Sequence, residues 1–205
     1  IGNLCAKYKV PVFSDEIHAD IVYPGYRHIP LASLKDFSDI CITGVSPSKS
    51  FNIAGLATAV VIVSNAEIRN KFNELNTKLH LYMGNTFGIR ALIAAYNESE
   101  GWLEELLCYL NKSRIYITEF VHNELSKVIL SPIEGTFLAW LDFRNWDLPD
   151  AELQEIMINK AGLALEPGTE FGKDGEGFMR LNFGCPQSIL KLALKRLQIL
   201  AKEYE

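Results

Sequence analysis

Two short stretches gather side chains whose types and order could do chemistry. The first is Ser46-Pro47-Ser48-Lys49-Ser50-Phe51-Asn52. Two serines flank a proline directly before a lysine, and an apolar run over residues 39–45 leads into them. Hydroxyls and turn amides at the end of a strand can hold a phosphate, and a lysine amine can form an imine with a carbonyl. The second is Ser14-Asp15-Glu16-Ile17-His18-Ala19-Asp20. An aspartate at the C-terminal end of a buried strand is costly unless a cation or several donors meet it. Read singly, each stretch also fits a structural role. The first could be a polar turn with a surface lysine, and the second an Asp capping the next turn with His18 packed beside it.

Both stretches need elements that bring them together. Residues 2–9 read as the last turns of a helix that Pro11 breaks. Residues 12–17, 39–45 and 57–63 are short apolar runs with β-branched residues, a pattern suited to a sheet covered on both faces. The first two end in ionisable or hydroxyl groups, and open α/β sheets bind ligands just beyond such strand ends. Asn65 reads as the cap of a helix reaching about Tyr82, with Glu67 in its first turn. Gly84-Asn85-Thr86 interrupts it before a second helix over 91–96. Apolar positions 102, 103, 106, 107, 110, 117, 120, 121 and 125 then predict a helix of about seven turns.

Beyond it the pattern becomes mixed. Strands are expected over 136–143, 163–165 and 177–183, with helices over 150–161 and 187–204. The last helix would bury Leu190, Leu192, Leu194, Leu197 and Leu200. The first half is therefore α/β and the second α+β. Asn97-Glu98-Ser99-Glu100-Gly101 interrupts the apolar pattern, which divides the chain into domains 1–98 and 99–205.

Bulk properties exclude several classes. The 205 residues are 48% hydrophobic and 22% charged with a net charge of −5, and no basic stripe suggests a nucleic-acid partner. No apolar stretch approaches the roughly 20 residues of a membrane span, and the N-terminus does not read as a signal peptide. Cys5, Cys41, Cys108 and Cys185 are too dispersed for a metal or redox pair, which points to a reducing, cytoplasmic setting. His28, His80 and His122 lack partners at ligand spacing, so no metal is expected. The chain has no initiator Met and starts inside a helical pattern, so a fragment is expected.

Taken together and in order, the motifs are specific. Ser14-Asp15-Glu16-Ile17-His18, the run from Ser46 to Leu56, and Arg180-Leu181-Asn182-Phe183-Gly184-Cys185-Pro186 resemble fold-type I pyridoxal-phosphate (PLP) enzymes of the class I/II aminotransferase family. The resemblance extends from about Pro11 to the final helix. It is strongest to the subgroup of MalY/PatB-type cystathionine β-lyases and cystalysin. It implies an α/β fold of the aspartate-aminotransferase type, with part of the large cofactor-binding domain followed by a small α+β C-terminal domain.

The resemblance also implies roles. Lys49 would hold PLP as an imine and later move the Cα proton. Asp15 would pair with the pyridine nitrogen, and Ile17 would pack on one face of the ring. His18 stands where many relatives carry a Tyr near the ring hydroxyl. Ser46 and Ser48 would hold the phosphate, and Arg180 would grip the substrate's α-carboxylate. Many aminotransferases have a second phosphate-binding Arg eight residues after the lysine, where this chain has Ala57.

The implied activity is β-elimination from L-cystathionine or a related cysteine conjugate, giving a thiol, pyruvate and ammonia. The alternative is amino transfer to a 2-oxo acid. A homodimer is implied, and for a fragment alone, weak or absent PLP binding, no turnover and self-association. Some members of the subgroup also bind a transcriptional regulator, but no feature of this sequence marks such a surface.

Overall fold

Strand α/β pairing in the first part of the chain begins after a short helix. In the computed structural model, which describes residues 1–204, α1 (Gly2–Tyr8) ends where Lys9 turns left-handed at φ 53° and returns its amide to the Ala6 carbonyl. β1 (Val12–Asp15) then pairs in parallel with β2 (Cys41–Val45), placing Val12 level with Cys41 and Asp15 level with Gly44. A one-turn helix, α2 (Pro47–Ser50), follows β2 directly. β3 (Val60–Val63) returns antiparallel on the other side of β2, with Val60 opposite Val45. The sheet order is β1-β2-β3.

Burial in this sheet is narrower than expected. The central strand is covered, with Cys41, Thr43 and Gly44 buried. The outer strands are not, since each has a neighbour on one side only: Phe13 is 60% exposed and Ile62 53% exposed. The expectation of a sheet covered on both faces is therefore corrected for β1 and β3 within this chain.

α3 (Ala66–Lys78) is capped as expected, Asn65 accepting from the Glu67 and Ile68 amides at 2.9 and 3.2 Å. It stops short of Tyr82 because His80 turns left-handed, φ 55°, before a 3-10 turn at Leu81–Met83. Asn85 caps α4 (Thr86–Glu98) through the Phe87 amide, so this helix starts five residues ahead of the expected 91. α5 (Glu100–Glu124) is the expected long helix.

The chain divides into two compact units, Ile1–Glu105 and Leu106–Glu205. The second holds a four-stranded antiparallel sheet of β4 (Ile129–Leu130), β5 (Leu138–Asp142), β6 (Glu166–Pro167) and β7 (Phe178–Asn182), in the order β4-β5-β7-β6. Ala139 lies opposite Leu181 and Leu141 opposite Met179, and all four are buried, so one face of the sheet is core. Helical stripes complete that core: Leu110, Ile117 and Val121 from α5, Leu153, Ile156 and Met157 from α6 (Asp150–Asn159), and Leu190, Leu194, Leu197 and Leu200 from α7 (Gln187–Ala201). Each fully buried Leu contributes about 1.5–3 kcal/mol. Leu192 is exposed instead, because a residue two positions from Leu190 and Leu194 points away from their stripe. No strand forms over 163–165; the pairing segment is Glu166–Pro167, immediately after it, and Leu163 is a buried loop residue.

The turn between β6 and β7 depends on two glycines in backbone contact. A Cβ on Gly168 would lie 2.2 Å from the Gly175 carbonyl oxygen, and one on Gly175 would lie 2.0 Å from that of Gly168. Gly168→Ala should lower stability by about 1–3 kcal/mol through the forced shift. Gly101→Ala, in the first turn of α5 where a Cβ meets open space, should raise it by about 0.5 kcal/mol. Thermal melts of the two variants check both signs.

Candidate active site

Parallel pairing of β1 and β2 puts their C-terminal ends at the same edge of the first unit's sheet. Asp15 closes β1 there, level with Gly44, and Lys49 follows Gly44 by five residues on α2. The two stretches singled out above are thus brought together. A Cβ at Gly44 would stand 2.9 Å from the tip of the exposed Phe13 ring, so a side chain there would need that ring to swing aside.

The lysine turn is built by its own serines. Ser46, buried, caps α2: its Oγ accepts from the Ser48 amide at 3.1 Å and donates to the Thr58 carbonyl at 2.7 Å. Pro47 takes the first helical position, where a missing N–H costs nothing. Ser48 and Lys49 are half-buried. Ser50 is fully buried and donates to Asp20 Oδ2 at 2.7 Å. The turn closes through Asn52 and Ala57, both left-handed with φ 55° and 47°.

The carboxylates of the other stretch divide the work differently from the sequence reading. Asp15, expected to need compensation for burial, is exposed and accepts one long hydrogen bond from the Ile17 amide at 3.3 Å. The buried carboxylate is Glu16, whose side chain is 5% exposed. It accepts from Ser14 Oγ at 3.0 Å and the Leu31 amide at 3.1 Å, and pairs with His28 Nε2 at 2.8 Å. Burial pushes its pKa up, but the His28, Leu31 and Ser14 hydrogen bonds together outweigh it and hold the carboxyl below its ordinary value. His28, which in the sequence has no partner at ligand spacing, is therefore the partner of Glu16. Ile17 and His18 are half-buried in the turn after β1, where the His18 carbonyl accepts from the Ile21 amide at 3.0 Å.

Asp20 ends that turn. Besides Ser50 it engages Tyr96 of α4, whose pKa is raised by burial and by the charge and hydrogen bond of Asp20. Phe51 packs edge-on against Tyr96 at 5.9 Å and stacks on Trp102 at 5.7 Å.

Arg180 lies in the second unit, on the face of β7 opposite the core, level with Trp140 on one side and Glu166 on the other. Its guanidinium pairs with Glu166 and covers the Phe171 ring at 4.4 Å; Trp140 stacks on Phe178 at 5.6 Å beside them. Among the described residues no group of His, Cys, Asp and Glu could hold a metal, and no helix is long and apolar enough to cross a membrane.

The family model for "Aminotransferase class I and II" matches residues 1–197. The chain belongs to the class I and II aminotransferase family. Within it, the chain is 43% identical over 199 residues to cystathionine beta-lyase PatB of Bacillus subtilis (strain 168), covering 97% of this chain and 51% of that protein. It is 35% identical over 192 residues to protein MalY of Escherichia coli (strain K12), covering 93% and 49%. Its structure superposes on cystalysin from Treponema denticola, which contains pyridoxal 5'-phosphate, with a TM-score of 0.90 at 32% identity, covering 100% of this chain and 52% of that one. The chain spans about half the length of these family members. The fold is therefore that of the PLP-dependent members of the family, as the motifs implied.

Glu16, His28, Asp20 and Ser50 were missed as a framework because their partners lie 12 and 30 residues apart, separations that carry no helical or strand period. Glu16→Ala should cost about 2–3 kcal/mol, since it leaves buried donors unpaired. With its folded pKa lowered, the Glu16 contribution is present above the ordinary carboxylate value, about 4.3, and is lost as pH falls through the folded value. The gap in urea midpoint between wild type and Glu16→Gln should accordingly be wide at about pH 7 and narrow by about pH 3.

Proposed function

We propose that the protein containing this chain is a PLP-dependent carbon–sulfur β-lyase, cleaving the Cβ–S bond of L-cystathionine or a related cysteine conjugate to a thiol, pyruvate and ammonia. The observation that carries the proposal is the convergence of Asp15 and Lys49 at one sheet edge, in a chain 43% identical to a cystathionine beta-lyase.

The residues present fit the cofactor. Asp15 has one long hydrogen bond and so keeps acceptor capacity for a cationic ring nitrogen. Lys49 stands on the neighbouring turn, and the Ser48 hydroxyl is half-buried beside it. PLP, when bound, supplies an aldehyde for the lysine amine and a ring that accepts the electron pair released at Cα. Lys49 holds it and then takes the Cα proton on Nζ as general base. Asp15 would accept from the ring nitrogen with the acceptor capacity it keeps. Ile17 and His18, half-buried in the turn after β1, would hold the ring on one face and near its hydroxyl. Ser48 donates to the phosphate; Ser46 shapes the turn, and to donate as well it has to release the Thr58 carbonyl. Arg180 binds the substrate's α-carboxylate through its guanidinium fork, in place of Glu166.

The domain assignment, 1–98 to a large cofactor-binding domain and 99–205 to a small one, belongs to the same proposal. So does a homodimer, supported by large apolar side chains left in solvent, among them Met83 and Phe87. A cytoplasmic setting is supported by the free Cys5, Cys41, Cys108 and Cys185. The second reading is an aminotransferase, favoured by the family's own description; it uses Lys49 in the same way but returns the proton to the cofactor side.

The gene product at full length, given PLP and L-cystathionine without any 2-oxo acid, should release pyruvate steadily, and Lys49→Ala should abolish the release. Amino transfer on addition of a 2-oxo acid, with no pyruvate before it, would move the assignment to the second reading. Arg180→Lys should raise KM for the amino acid roughly tenfold by loss of the fork; an unchanged KM would remove Arg180 from the site.

A further inference from the structure

We infer that Asp20 is a positioning residue for Lys49, holding the lysine turn to the Asp15 turn through the buried hydroxyl of Ser50. The inference rests on the PLP reading above. Ser50 is the residue after Lys49 and is fully removed from solvent. Its hydroxyl donates to Asp20 Oδ2 at 2.7 Å, and Asp20 lies in the turn that begins at Asp15.

The lysine turn is pinned at both ends, and at its far end it is tied to the Asp15 segment. At its start, Ser46 is bound to the Thr58 carbonyl and the Ser48 amide. At its end, Ser50 is bound to Asp20. The Asp15 turn is likewise fixed on its other side, where Glu16 holds His28 and the Leu31 amide. Burial and the nearby charge of Asp20 raise the Tyr96 pKa, and the Tyr96 ring meets Phe51, so α4 backs the same junction.

A lysine side chain has four rotatable carbons, and the placement of its amine is set by where the backbone is held. Two groups that must act on opposite ends of one small ring need their backbones fixed to within about 0.5 Å. A charged acceptor on a buried hydroxyl is the kind of short, strong bond that can do this. Asp20 touches none of the reacting atoms itself; its effect passes through Ser50 to Lys49.

The test uses the full-length gene product reconstituted with PLP. Asp20→Ala and Ser50→Ala should each lower kcat by roughly tenfold with KM within about twofold, and the double variant should lose no more than the worse single one. The circular dichroism of the bound cofactor's visible band, which reports how the ring is held, should fall in both. Asp20→Asn keeps an acceptor for Ser50 and should restore most of that signal. Visible dichroism and kcat unchanged in Ser50→Ala, with the far-ultraviolet spectrum intact, would overturn the proposal. So would additive losses in the double variant. If Asp20→Ala does not fold, Ser50→Ala and Asp20→Asn decide by the same two readouts. Failure of the PLP reading is separable: it shows as a visible band that survives in Lys49→Ala, or as no band in the wild type.

Discussion

The parallel pairing of β1 with β2 is the constraint on which the first unit depends. Parallel strands end on the same side, so one hydrogen-bonded ladder delivers both Asp15 and the Lys49 turn to a single edge. An antiparallel pairing of the same two strands would send them to opposite edges. Everything else near the site refines that placement. Gly44 keeps the ladder clear of the Phe13 ring, Ser46 starts the turn in the right conformation, and Glu16 fixes the loop that returns from His28 to Leu31.

Three carboxylates in one six-residue stretch have separate physical fates. Asp15 is exposed and lightly bonded, Glu16 is buried and bonded three times, and Asp20 bridges to a hydroxyl from another segment. Burial and bonding sort them, since a carboxylate can be hidden only where donors replace its water. The bonded pair anchors the backbone, and the exposed one remains open to solvent. The second unit repeats the division on a sheet, whose buried face is apolar while Arg180 and Trp140 occupy the other.

Much of this was legible in the sequence, for identifiable reasons. Asn65 capped its helix because a side-chain amide before an acidic first turn has few alternatives, and α5 followed its apolar period almost to the residue. Leu192 was misplaced because a run of leucines hides which of them share a stripe. The segment 163–165 looks like a strand by composition, yet pairing with β7 starts just after it, where the register with Arg180 and Met179 is satisfied. Exposure of Phe13 and Ile62 could not be read from their types, because burial of an outer strand depends on what lies beside it. The order of the motifs carried the family; the Ser50–Asp20 and His28–Glu16 bonds join positions that no local pattern relates.

The ladder between β1 and β2 also has a history in time. Val12 and its partner Cys41 are 29 residues apart, and ribosomes add about 5–20 residues each second. For roughly 1.5–6 s of every synthesis, then, β1 has been made and its ladder partner β2 has not. The Asp15 edge cannot exist until the second strand arrives. The interval belongs to the parallel topology itself: a hairpin closes as its second strand emerges, whereas this ladder waits for the whole intervening segment.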